Sequence, residues 1–186
     1  MIRGKLFALA GLAASLVAGW VGLPRAIYRR TPQPVEFSHR VHADKAGQAC
    51  EDCHAFREDG TFAGFPALDK CAGCHAAPMG NTAAEKLFID RYVTPQREPE
   101  WRSRAEQPPN VWFSHAIHVR RGAMKCETCH GNQAAVDSAP APEQNRISGY
   151  PRSSARPGLP VPLGMNDCIA CHRNNGLRHS CLDCHK

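Results

Sequence analysis

Five times in this chain two cysteines stand with two residues between them and a histidine directly after the second. The sets are Cys50, Cys53 and His54; Cys71, Cys74 and His75; Cys126, Cys129 and His130; Cys168, Cys171 and His172; and Cys181, Cys184 and His185. They use all ten cysteines and half of the ten histidines. C-x-x-C-H is the pattern by which haem c is attached. The two thiols add to the vinyl groups on one porphyrin edge, and the adjoining His reaches the iron from one side. Paired C-x-x-C units also make zinc sites, but zinc needs neither an odd number of pairs nor a His at that fixed place. Disulfides in a secreted chain would not repeat one spacing five times. The expected cofactors are therefore five covalently bound haem c groups, with His54, His75, His130, His172 and His185 as iron ligands.

Size and composition agree with this. Once the apolar opening of the 186-residue chain is set aside, roughly 155 residues remain, about 31 for each motif. Aromatic residues are only 7% of the chain, and Gly and Pro number 15 each, so its own side chains make a poor core. Porphyrins should fill the middle. The fold class is then mostly short α-helices and loops wrapped around haems, with little sheet and one N-terminal transmembrane helix.

Five histidines lie outside the motifs: His39, His42, His115, His118 and His179. One spare per iron matches the demand of six-coordinate haems with His on both faces. Each should be held by a hydrogen bond from its other ring nitrogen, to backbone in the simplest case. Met79, Met124 and Met165 are the alternative ligands; a Met would raise that haem's potential. Phe37-Ser38-His39-Arg40-Val41-His42 returns as Phe113-Ser114-His115-Ala116-Ile117-His118, at the same offset that separates Cys50 from Cys126. The chain thus contains a partial internal duplication. Two histidines three apart on one helical turn point to similar sides and cannot sandwich one porphyrin, so each pair should serve two different haems.

Residues 6–23 carry no charge. As a helix they span about 27 Å, enough to cross the hydrocarbon. No clear small-x-small cleavage site precedes Pro24 and Arg25, which favours an uncleaved anchor over a signal peptide. Arg3 and Lys5 before it and Arg25, Arg29 and Arg30 after it leave orientation unsettled by charge. The motifs settle it, because haem c is attached outside the cytoplasm. The N-terminus is then inside, and the haem domain lies on the periplasmic face of the cytoplasmic membrane.

The domain reading is an anchor at 1–30, a two-haem module at 31–80, a capped helix and Pro-rich linker at 81–110, and a three-haem module at 111–186. Thr82-Ala83-Ala84-Glu85 reads as a capping box opening a helix to about Tyr92, with Leu87 and Phe88 inward. Residues 138–165, rich in Pro, Ser and Gly, read as a long extended loop. The formal charge of +6 does not point to nucleic acid. Five haems bring about −10 in propionates, offset by up to about +5 on ferric irons.

Several segments carry a resemblance. They are Pro34-Val35-Glu36-Phe37-Ser38-His39, Ala63-Gly64-Phe65-Pro66 before Cys71, Pro99-Glu100-Trp101, Val111-Trp112-Phe113-Ser114-His115, Cys129-His130-Gly131, and Met165 through Arg173. In order and spacing the chain resembles the class III, cytochrome c3-like, multihaem cytochromes c. It is most similar to the branch formed by the membrane-anchored multihaem subunit of the menaquinone reductase complex and of alternative complex III. The resemblance implies a relay between a soluble periplasmic c-type cytochrome and the partner subunits of a membrane-bound quinone oxidoreductase. Those partners are iron–sulfur or molybdopterin-like subunits and integral membrane subunits. It also implies that His39 serves the haem of His54, and His115 that of His130. His42, His118 and His179 remain for the haems of His75, His172 and His185, in no fixed order. Five motifs leave no room for the sixth haem that some relatives carry, and Met165 stays a reserve ligand.

The expected function is electron transfer by a pentahaem subunit with no catalytic site of its own. Two alternatives belong beside it. A stand-alone quinol dehydrogenase also combines one anchor with haems, but usually with an unusual ligand near the membrane. A nitrite- or hydroxylamine-type reductase needs an iron with an open face, and the C-x-x-C-K site such enzymes often use is absent.

Overall fold

The computed structural model describes residues 2–61, 64–104, 107–150 and 164–186. The apolar opening is one continuous rod: α1 (Ile2–Val17), a π-helical stretch (Ala18–Gly22) and α2 (Leu23–Ile27). The π turn, in which Leu23 N–H reaches back to Ala18 O, falls just ahead of Pro24. There the missing N–H and the bulk of the ring disturb an ordinary helical ladder. Among the described residues one helix, Gly4–Ile27, is long and apolar enough to cross a membrane. Its 24 residues reach about 36 Å, and none of its apolar stretch is buried against the rest of the chain.

The rod passes without a linker into β1 (Tyr28–Arg30), which pairs antiparallel with β2 (Glu143–Asn145) in the register Tyr28 to Asn145 and Arg30 to Glu143. Within the stretch read as a loop over 138–165, β2 is thus a strand. Three residues are too few for a two-residue hydrophobic period to register in sequence. Backbone contacts continue the pairing, from Thr31 N to Pro142 O (3.1 Å), Ala139 N to Phe37 O (2.7 Å) and Arg40 N to Val136 O (3.1 Å). Residues 151–163 of that stretch lie outside the described residues.

Among the described residues, short helices and turns follow β1, and five of them carry a motif. They are α3 (His39–Ala46), α4 (Cys50–Cys53), α5 (Leu68–His75), α6 (Ala83–Phe88) with its π continuation Ile89–Val93, the π-helical Ala116–Arg121, α7 (Cys126–His130), α8 (Met165–Asn174) and α9 (Cys181–Cys184). The apolar core is small. Val35, Leu68, Phe88, Ile89, Tyr92 and Val93 are buried, with Cys71, Ala72 and Trp101 packed against them. It lies where α5 meets α6 and the π turn. A core of this size cannot hold a chain of this length, as expected where prosthetic groups fill the interior.

Glu98 and Arg102 fold back on the segments that precede them. Glu98 accepts from Leu68 N with both carboxylate oxygens (3.0 and 3.1 Å) and so caps α5, whose N-cap residue is Ala67 and offers no side-chain acceptor. Gln33 clamps Arg102 by two hydrogen bonds, one donated (2.9 Å) and one accepted (3.0 Å). Leu87, expected inward, is exposed; the buried stripe runs through Phe88, Ile89, Tyr92 and Val93 instead. The second module is tied at its end, where Trp112 N meets Cys184 O (2.7 Å) and Lys186 N meets Asn110 O (2.9 Å).

Candidate haem-binding sites

The duplicated Phe-Ser-His-x-x-His unit builds the same small device twice. Ser38 is the N-cap of α3, and its hydroxyl accepts from Val41 N at 3.2 Å; Ser114 does the same for Ile117 N at 3.4 Å. The serine carbonyl then orients the second histidine. His42 Nδ1 donates to Ser38 O at 2.7 Å, and His118 Nδ1 donates to Ser114 O at 2.8 Å. The phenylalanine wedges between the two rings. Phe37 meets His39 edge-on (4.9 Å, 88°) and stacks on His42 (4.4 Å, 24°). Phe113 repeats this on His115 (4.8 Å, 87°) and His118 (4.8 Å, 23°). Sequence pattern marked these phenylalanines and serines as part of a repeat without giving them a role.

The wedge sends the two imidazoles of each unit in different directions. His115 faces His130 with ring centroids 6.3 Å apart and planes at 11°. His118 faces His172 at 6.1 Å, and His42 faces His75 at 6.1 Å. Two imidazoles on one iron, each bonded at about 2 Å, hold their ring centroids roughly 6 Å apart. Three pairs therefore already stand at the separation of a bis-imidazole haem. His39 lies beside His54; burial lowers its affinity for a proton, and the neighbouring His54 and His42 lower it further. Its Nδ1 is buried without a hydrogen-bond partner, so this ring departs from the expected backbone tether. His179 keeps the tether, to Leu177 O at 2.9 Å, and Asn110 Nδ2 lies 3.5 Å from His185 Nδ1.

Three of the motif histidines are held by a bond at Nδ1. His54 Nδ1 donates to Gly64 O (2.8 Å) and His172 Nδ1 to Arg178 O (2.7 Å). His75 Nδ1 donates to a carboxylate, Glu85 Oε1, at 2.9 Å. Each of these bonds fixes the tautomer that leaves Nε2 with a free lone pair, the form a metal takes. Glu85 departs from the capping box. Thr82 does accept from Glu85 N (3.1 Å), but the Glu85 carboxylate turns to His75, Met79 N (2.7 Å) and Gly80 N (2.8 Å). Met79 and Met165 hold exposed side chains.

The ten cysteines form no disulfide, and among the described residues no three His, Cys, Asp or Glu side chains gather around a point that would hold a bare ion. The donor set suits a porphyrin instead: opposed imidazoles at iron-spanning distance, each motif with its thiols beside one of them. The thiols also show which motifs are neighbours. Burial pushes Cys53 and Cys71 up; Cys74 adds to the effect on Cys53, and Cys53 to that on Cys71. Burial and then the adjacent Cys50, within hydrogen-bonding reach, do the same to Cys126. Cys129 is raised by burial and by Cys171, and Cys168 by burial, Asp167, Cys129 and Cys184. Cysteines of the first and second, first and third, third and fourth, and fourth and fifth motifs thus lie near one another.

Known proteins point the same way. The family model described as "Class III cytochrome C family" matches residues 23–97, and that described as "Cytochrome c7 and related cytochrome c" matches residues 111–186. The chain is 37% identical over 191 residues to the "Menaquinone reductase, multiheme cytochrome c subunit" of Nitratidesulfovibrio vulgaris, covering 95% of this chain and 87% of that protein.

Proposed function

The chain belongs to the class III, cytochrome c3-like, multihaem cytochromes c, and on that premise we propose that it is the pentahaem electron-transfer subunit of a membrane-bound quinone oxidoreductase. The observation that carries the reading is the set of opposed rings at 6.1–6.3 Å on a chain of five haem-attachment motifs. The axial pairs are His54 with His39, His75 with His42, His130 with His115, His172 with His118, and His185 with His179. Facing rings support the second, third and fourth pairs, proximity supports the first, and the last takes what remains. The cysteines of each motif hold one haem c. Residues 31–80 form a two-haem module and residues 111–186 a three-haem module.

When bound, haem supplies reversible one-electron iron chemistry. The chain supplies ligation, spacing and shielding. Phe37 and Phe113 keep the two imidazoles of each repeat apart, so that one rigid helical turn fixes two neighbouring sites. Ser38 and Ser114 hold that turn and the second ring together. Nearness of cysteines in neighbouring motifs supports the row His75, His54, His130, His172, His185 as the path. Helix Gly4–Ile27 anchors the chain, with the haem domain on the periplasmic face. A soluble periplasmic cytochrome meets one end of the row. Iron–sulfur or molybdopterin-like and integral membrane subunits meet the other. The relative's name, a menaquinone reductase subunit, makes menaquinone the quinone to test.

The test is purification of the chain with whatever accompanies it, followed by haem quantification and reduction assays. Five haems per chain, low-spin iron throughout, and exchange of electrons with menaquinone only in the presence of partner subunits are the expected results. Oxidation of menaquinol by the isolated chain would instead make it a stand-alone quinol dehydrogenase.

A further inference from the structure

The partner of His75 differs in kind from those of five other imidazoles. His42, His54, His118, His172 and His179 each set Nδ1 against a backbone carbonyl, a neutral acceptor. His75 sets Nδ1 against a carboxylate, 2.9 Å from Glu85 Oε1. That carboxylate is held in place. Met79 N donates to the same oxygen at 2.7 Å, Gly80 N donates to Oε2 at 2.8 Å, and the capped start of α6 fixes its backbone. The Glu85 side chain is only 10% exposed. At Gly80 a Cβ would stand 3.2 Å from Oε2, so the missing side chain lets the loop close on it.

A charged acceptor draws the Nδ1 proton more strongly than a carbonyl does. It gives the imidazole partial imidazolate character and makes Nε2 a stronger donor to a ferric metal. Ferric iron gains more from that donation than ferrous iron, so the potential falls.

We infer that Glu85 is a positioning residue that makes the iron site of His75 the lowest in potential of the five and the last to be reduced. This rests on the reading that His75 and His42 bind one haem iron. Glu85 keeps the His75 ring in one orientation and in one tautomer. Its charge, not its volume, sets the potential.

The test is spectroelectrochemical titration of the full-length holoprotein carrying Glu85→Gln, a substitution that keeps shape and an acceptor oxygen but removes the charge. Haem content should stay at five and all iron low-spin. The lowest of the five one-electron components should rise, its ferrous-to-ferric ratio at fixed potential increasing about tenfold, or about 59 mV. The g-values of one low-spin ferric signal should shift with it. Wild-type protein gives an independent check, since one component must lie at least about tenfold below the other four. Five superimposable potentials in the wild type, or an unchanged lowest component in Glu85→Gln, would overturn the assignment. The ligand reading is tested separately by His42→Ala: conversion of one haem to high spin keeps it, and failure to convert removes it whatever Glu85 does.

Discussion

Replacing His118 by Ala removes the ring that faces His172 across 6.1 Å. With it go the stack on Phe113 and a 2.8 Å hydrogen bond to Ser114 O, worth about 1 kcal/mol of stability. That loss leaves the fold standing. The loss of an axial nitrogen is absolute for one iron and nil for the other four. About one fifth of the low-spin ferric electron paramagnetic signal should therefore vanish, replaced by a high-spin signal of the same spin count. Added imidazole should reverse the change, because a small ligand can enter the space the ring vacated. His115→Ala should do the same to a different haem, since His115 faces His130. The double variant decides the geometry. If the two histidines of the repeat serve separate irons, it loses about two fifths of the signal; if they serve one, it loses no more than either single variant. A loss of one fifth in the double variant would refute the argument from the Phe113 wedge. No change in His118→Ala would remove that residue from the ligand set.

Four further outcomes are expected. Ser38→Ala or Ser114→Ala should each cost about 1 kcal/mol in denaturant unfolding, with haem content unchanged, because each removes one cap of a short helix. Leu68→Ala, at one of the most deeply buried positions, should cost about 2–5 kcal/mol and lower the midpoint of thermal unfolding. Gly122→Ala should destabilise the second repeat, because the added Cβ would lie 2.7 Å from His118 O; a shift of one haem's spectrum would report the displaced carbonyl. Intact mass spectrometry should find residues 2–27 retained together with five haem c groups; a mass beginning after Ile27 would make the helix a cleaved signal.

The candidate ligands were legible in the sequence because covalent attachment imposes a fixed local spacing, and because five spare histidines match five motifs. The partnership of His118 with His172 was not, since it depends on the path of the chain between them and leaves no local pattern. Glu85 shows a different limit. Thr82-Ala83-Ala84-Glu85 carries a capping-box signature, and the Thr82 half of that box forms, yet the carboxylate is drawn off to His75 by two nearby N–H groups. Local pattern predicted the helix and hid the contact. The strand Glu143–Asn145 escaped because so short a segment owes its form to Tyr28–Arg30 rather than to its own residues.

The direct passage from Ile27 into a strand clamped to residues 143–145 has a mechanical result. A cytochrome hung on a flexible leash would tumble and offer its ends in every direction. Were the helix retained in the bilayer, this one would keep a fixed stance. Its reach above the lipid would then be set by the fold rather than by diffusion, and a visitor would find the same face uppermost on each encounter.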